Sequence, residues 1–258
     1  MYFFEDSLWG SWGGVAPEDA AETEDNGQTG DDSDTNGDDE DRKKAGELKP
    51  VDRDGMYDEP QYVELDEDVN YLARLNTSYG PIIIELYEDE TPKTVRNFIF
   101  LARDGFYNDL IFHRVIKDFI IQTGDPLGQG FGGPGYTFED EIVEDRKFGP
   151  YAVAMANPGP DSNGSQFFIT AEDADAEHLN GVHTIFGRVI RGYSVVDQIE
   201  DVDTDQQYKP WSEIKIESVE IIERGFFEDL VAGYWWLLAG ILVFAVGVLV
   251  FVVIKNNK

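Results

Sequence analysis

With 258 residues the chain has room for about one domain plus appendages. Its 52 acidic residues against 20 basic ones, a formal charge of −32, exclude a nucleic-acid partner, because phosphate binding needs a basic surface. Cysteine is absent, which excludes disulfides, thiol catalysis and Cys-ligated metals.

Residues 1–16 form an aromatic N-terminal segment with no basic residue and no continuous apolar core, a poor secretory signal. It reads either as a short docking motif or as a loose end with sticky aromatics. Residues 17–69 read as an acidic disordered linker: Asp, Glu, Gly, Ser, Thr and Asn dominate to about Glu47, and the approach to the domain stays polar. Such a segment buries too little apolar surface to offset chain entropy, and its like charges keep it extended. Acid residues also run through the rest of the soluble part, as they do in proteins that work in concentrated salt, so a halophilic source is expected.

Patterned sequence marks a domain over 70–224. LARLNTS (72–78) and PIIIELY (81–87), joined at Tyr79-Gly80, predict a hairpin. Thr91-Pro92 opens a helix, with Thr91 as its cap and Pro92 in its first turn. Val95, Phe98, Ile99 and Ala102 fall on one helical face, and Gly105 ends it. Short apolar runs follow: LIFHRVI, FIIQTG, YAVAMA, QFFIT, TIFGRVI and IKIESVEII. Val195, Val196 and Ile199 predict a second helix near 193–200. Many short strands and two helices indicate an antiparallel barrel or sandwich.

Residues 230–254 carry no charge. About 25 residues at 1.5 Å rise exceed a hydrocarbon core of roughly 30 Å, so this stretch predicts a single-pass transmembrane helix. Tyr234, Trp235 and Trp236 suit an aromatic belt at its leading edge. Lys255 and Lys258 beyond it, against Glu228 and Asp229 before it, favour a domain outside the cell. Nothing at the N-terminus looks able to export that domain, so the expectation adopted is a C-terminal anchor with the domain facing the cytoplasm.

Three motifs mislead. Gly128–Gly133 fits G-x-G-x-x-G, but Pro134-Gly135 follows where a dinucleotide fold needs a helix, which indicates a tight loop. His113, His178 and His183 lack metal-ligand spacing, so no metal is expected. Ser162 and Ser165 lack a nucleophile-elbow context. In FHRVIKDFIIQTGDP, alternation sends Phe112, Arg114 and Ile116 one way and His113 and Val115 the other. It likewise sets Ile120 and Gln122 against Phe119 and Ile121. An arginine within an apolar strand is costly to bury unless hydrogen-bonded; Arg114 is either a surface charge paired with a carboxylate or a functional group.

FHRVIKDFIIQTGDPLGQGFGGPGYTFEDE (112–141), MANPGPDSNGSQFFIT (155–170) and HLNGVHTIFGRV (178–189) decide between those readings. In order and spacing they resemble the cyclophilin family of peptidyl-prolyl cis-trans isomerases, over roughly residues 71–224, and the acidity adds a haloarchaeal source to the expectation. The resemblance implies a mainly β fold, an eight-stranded antiparallel barrel capped by two α-helices, with a groove on its outer surface. It implies a cofactor-free enzyme that rotates X-Pro bonds in peptides or proteins and assists folding, and a monomer is expected. Arg114 would be catalytic, with Gln122 orienting it. Phe119, Ile120, Phe168 and Leu179 would form the proline pocket, with His183 at its edge and His178 at its rim. Asn157 would offer backbone groups, and Gly130, Ala156 and Gln166 would line the groove. Two positions depart from the family: His178 stands where many members carry a tryptophan that helps bind cyclosporin, and Pro158 removes a backbone donor after Asn157. The rival reading is a module that holds proline segments with turnover incidental.

Overall fold

The computed structural model describes residues 43–225 apart from 62 and 67. The aromatic N-terminal segment, most of the acidic linker and the expected membrane span lie outside the described residues. Among the described residues no helix is long and apolar enough to cross a membrane.

The expected hairpin forms from β1 (Val69–Thr77) and β2 (Gly80–Leu86). Its alternation sends Tyr71, Ala73 and Leu75 of β1, with Ile82, Ile84 and Leu86 of β2, to the buried face. After α1 (Pro92–Arg103) come β3 (Leu110–Ile111), β4 (Arg114–Ile116), β5 (Ile120–Thr123), β6 (Ala152–Met155) and β7 (Phe167–Thr170). β8 (Ile185–Arg191), α2 (Tyr193–Glu200) and β9 (Lys215–Gly225) complete the domain. The strands form one sheet in the order β3-β9-β1-β2-β8-β6-β7-β5-β4, every neighbouring pair antiparallel.

The two ends of that order, β3 and β4, are separated in the chain by only Phe112 and His113, a reach of a few ångström per residue. The sheet therefore curls until its edges meet through the chain itself. Nine strands replace the expected eight because this one bent segment is split into two pieces. The interruption also corrects the alternation expected for it. The Phe112 amide bonds to the Ile214 carbonyl, and its ring is buried in the barrel core with Val115 rather than beside Arg114. Phe119 is corrected for a similar reason. It ends a turn in which Asp118 has φ 57°, so it packs with Ile120 instead of opposite it.

Inside the barrel, Val115, Ile121, Ile169 and Val153 form one cross-strand row. α1 closes over the core with Val95, Phe98 and Ile99, all fully buried. The Phe98 ring stands edge-on to Phe167 at 5.5 Å and lies tilted on Phe186 at 5.4 Å. The cap of α1 differs from expectation. Thr91 turns its hydroxyl back to the Tyr87 carbonyl at 3.1 Å, and the Glu141 carboxylate accepts from the first-turn amides of Lys93 and Thr94 at 3.1 and 2.8 Å. A carboxylate does this job well because it meets both the orphan donors and the positive end of the helix dipole.

The expected linker, 17–69, ends earlier than composition indicated. Residues 45–57 form a strap of two short 3-10 turns (Ala45–Glu47 and Pro50–Arg53) that packs against the domain. Ala45, Arg53 and Tyr57 are buried. The Arg53 guanidinium donates to the carbonyls of Leu48, Phe106 and Asn108, which replaces the water it loses. Asp104 accepts from the Ala45 amide and from the Tyr57 hydroxyl, at 3.1 and 2.7 Å. Three anchoring residues among many charges hold this strap.

Candidate active site

Residues directly opposite one another in an antiparallel sheet point to the same face. The register pairs Arg114 with Gln122, Gln122 with Phe168, and Phe168 with Ala154, so these four form one row on the outer face. A guanidinium, an amide, a phenyl ring and a methyl group thus run in sequence across the barrel wall. Ile120 lies on the same face, one step along β5.

The apolar end of the row is a second cluster, separate from the barrel core: Ile120, Ala154, Ala156, Phe168, Leu179 and Ile185, all buried. Phe119 and Phe148 pack against it. Phe148 stacks on Phe168 at 5.7 Å, and His183 meets the same ring edge-on at 5.7 Å. His178 stacks on Phe119 at 5.5 Å. The polar end opens into a groove of about 740 Å³ lined by Arg114, Gln122, Gly130, Ala156, Asn157 and Gln166 among others. Six of the expected residues surround this open volume, the other six form or flank the adjoining apolar cluster, and Ala156 belongs to both.

A hydrogen-bond chain orders the polar end. The Gln122 amide oxygen accepts from Arg114 Nη1 at 3.2 Å. Gln122 Nε2 donates to Gln166 Oε1 at 3.0 Å, and Gln166 Nε2 donates to the carbonyls of Gly130 and Gly132 at 3.0 and 2.9 Å. This explains a lone amide at the head of an aromatic strand: Gln166 ties β5 to the glycine loop. The stiff turn before it is pinned from below. Asn157 Nδ2 donates to Asp140 and Asn163, and buried Asn97 of α1 donates to the Gly164 carbonyl at 3.0 Å.

The G-x-G-x-x-G run is a loop, as expected, with Gly128 and Gly130 at positive φ. Asp125, buried at its base, accepts from the amides of Leu127, Gln129 and Gly130. A Cβ on Gly132 would come within 2.2 Å of Asp125 Oδ1, so the loop can lie this close to that carboxylate only through glycine.

His113 was not among the expected site residues, yet it lines the groove beside Arg114. Burial pushes its imidazole down to about 4, against a smaller upward pull from Asp125, so it is neutral at pH 7. Neither of its ring nitrogens has a hydrogen-bond partner among the described residues. The break after Phe112 turns it outward, and strict alternation conceals such a break. Burial also lowers the Arg114 and His183 values.

The cyclophilin type peptidyl-prolyl cis-trans isomerase family model matches residues 72–221. Peptidyl-prolyl cis-trans isomerase-like 1 of Mus musculus is 52% identical over 146 residues, 55% of this chain and 87% of the relative. Peptidyl-prolyl cis-trans isomerase-like 2 of Rhizopus delemar is 45% identical over 177 residues, 67% of this chain but only 33% of that longer relative. A Cryptosporidium parvum cyclophilin type isomerase, crystallised in the presence of the dipeptide ala-pro, has a TM-score of 0.56 at 39% identity and covers 59% of this chain and 99% of its own. The chain belongs to the cyclophilin-type peptidyl-prolyl cis-trans isomerase family, and its enzyme class is that of a proline isomerase.

Proposed function

We propose that the outer-face row twists X-Pro bonds of protein substrates, with Arg114 as the catalytic group. Rotating an amide costs about 18–20 kcal/mol because the twist destroys its resonance. The two X-Pro isomers are nearly balanced yet exchange over tens to hundreds of seconds. No bond need break, so the site requires neither nucleophile nor metal. As the bond twists, the proline nitrogen becomes pyramidal and regains a lone pair. A guanidinium held beside it bonds to that lone pair far better than to the planar ground state. Phe119, Ile120, Phe168 and Leu179 would hold the ring, His183 would border it, and Gln122 would aim the arginine. Gly130, Ala156, Asn157 and Gln166 would receive the flanking peptide. The Cryptosporidium relative, whose crystal structure was determined in the presence of the dipeptide ala-pro, supports this class of substrate.

One observation carries the reading: the register sets Arg114 two strands from Phe168 on a single face. In a proline-peptide isomerisation assay in concentrated salt, Arg114→Ala is expected to lower turnover at least roughly tenfold, the scale of one charged transition-state contact. A chain that binds the peptide without accelerating exchange would instead support the binding-module reading. His178 presents a smaller surface at the rim than the family's common tryptophan. Weak cyclosporin inhibition is expected, strengthened by His178→Trp; tight inhibition of the native chain would contradict this.

The same reading includes a haloarchaeal source, a monomer, and attachment to the membrane by residues 230–254 with the domain facing the cytoplasm. The uncharged stretch and the acidity of the chain support it. Protease accessibility of the acidic linker in intact cells tests the orientation.

A further inference from the structure

We infer that the strap at Ala45–Tyr57, which lies outside the matched family region, is a positioning element for Arg114, acting through the glycine loop. This rests on the reading of Arg114 as the catalytic group.

The strap meets the loop as a short ladder. The Gly55 amide donates to the Gly133 carbonyl at 3.0 Å, and the Tyr57 amide donates to the Pro134 carbonyl at 2.8 Å. In the opposite direction, the Gly133 amide donates to Asp54 Oδ1 at 2.9 Å. The approach is close: a Cβ on Gly135 would come within 2.2 Å of the Tyr57 carbonyl. The strap is in turn fixed to the end of α1 and the turn after it, through Arg53 and Asp104. Asp54 and Gly55 also line the groove with Arg114.

From Gly133 the path to the guanidinium is short and continuous. Its neighbour Gly132 offers the carbonyl that Gln166 binds, Gln166 holds Gln122, and Gln122 holds Arg114. Gly132 itself lies between Asp125 on the barrel side and Asp54 on the strap side, with both carboxylates within 3.1 Å of where its Cβ would stand. Asp125 sets the base of the loop from within the domain. The strap holds its outer limb, and a loop held on both sides presents the Gly130 and Gly132 carbonyls to Gln166 at one fixed separation. Releasing the outer limb frees Gln166, and then Gln122, to adopt other rotamers, and Arg114 loses its aim while remaining in the groove.

The test uses the full chain and a proline tetrapeptide, with kcat, KM and melting temperature measured for Asp54→Ala, Asp54→Asn and Gln166→Ala, and for Asp54→Ala combined with Gln166→Ala. Asp54→Ala is expected to lower kcat roughly fivefold, about the rate equivalent of one hydrogen bond, with KM and melting temperature nearly unchanged. Asp54→Asn, which keeps the acceptor oxygen, is expected to restore most of the loss. In the Gln166→Ala background Asp54→Ala should add almost nothing, since the path is already cut. Unchanged kcat in Asp54→Ala, full additivity with Gln166→Ala, or an Asp54→Asn variant as slow as Asp54→Ala would each overturn the inference. If Arg114→Ala abolishes turnover while Asp54→Ala does not affect it, the strap inference fails and the reading of Arg114 stands.

Discussion

Arg114 and His113 are neighbours in sequence and line the same groove, yet their burial has opposite uses. A guanidinium keeps its proton at neutral pH even when partly desolvated, so under the proposed function burial would strengthen its field at a substrate in the groove. An imidazole gives its proton up. His113 therefore adds no charge beside Arg114 at pH 7, and it carries a linkage cost in acid. Its folded value of about 4 lies below the ordinary 6.5, so below pH 6.5 the unfolded chain takes up a proton that the folded chain resists. Stability should fall as pH drops from about 6.5 to about 4, by an amount on the order of 3 kcal/mol from this residue. His113→Gln should flatten that part of a urea-denaturation profile against pH; an unchanged slope would assign the acid loss to other groups. Arg114 stood out as an arginine in an apolar strand, but the residues alone left a surface charge equally open, and only the family resemblance favoured a functional role. His113 was not legible, because two residues of irregular backbone reset which side faces out.

At the scale of elements, the strands and both helices were legible wherever apolar residues kept a period over several positions. β1, β2 and α1 show this, with observed limits within a few residues of those expected. The cap of α1 was not legible, because its carboxylate comes from Glu141 in a different loop. Glu141→Ala should destabilise the fold by about 1 kcal/mol, the usual cost of losing a cap. Thr91→Ser keeps the hydroxyl and should change stability little. A melting temperature that Glu141→Ala leaves unchanged would contradict capping by Glu141. The strap escaped for a related reason. Ala45, Arg53 and Tyr57 follow no period and sit among charges that usually mark a solvated chain.

For the whole molecule, the three long motifs were enough to place the groove and to anticipate a curled antiparallel sheet. The strand count differed only where the closing segment bends. What charge does to this fold is a separate matter, set by two opposed effects. Among the described residues, ion pairs such as Lys117 with Asp201 at 2.6 Å and Arg188 with Glu85 at 2.8 Å join half-exposed or exposed partners. Surface pairs of this kind contribute about 0–1 kcal/mol each. Repulsion within a chain of formal charge −32 acts over longer range and has the opposite sign. Salt screens both, and repulsion should dominate. The melting temperature is expected to rise between 0.1 and 2 M potassium chloride. A fall over that range would mean that the pairs outweigh the repulsion.

Catalysis of the proposed kind requires that Arg114 act on the twisted bond and not merely on the bound peptide. NMR exchange spectroscopy on a proline peptide at saturating concentration separates the two, because it reads isomerisation on the enzyme independently of affinity. For Arg114→Ala the on-enzyme exchange rate should drop at least roughly tenfold while peptide affinity changes little, as expected for a contact made only in the transition state. Undiminished exchange on the bound peptide, or a loss of affinity large enough to account for the whole loss of rate, would contradict it.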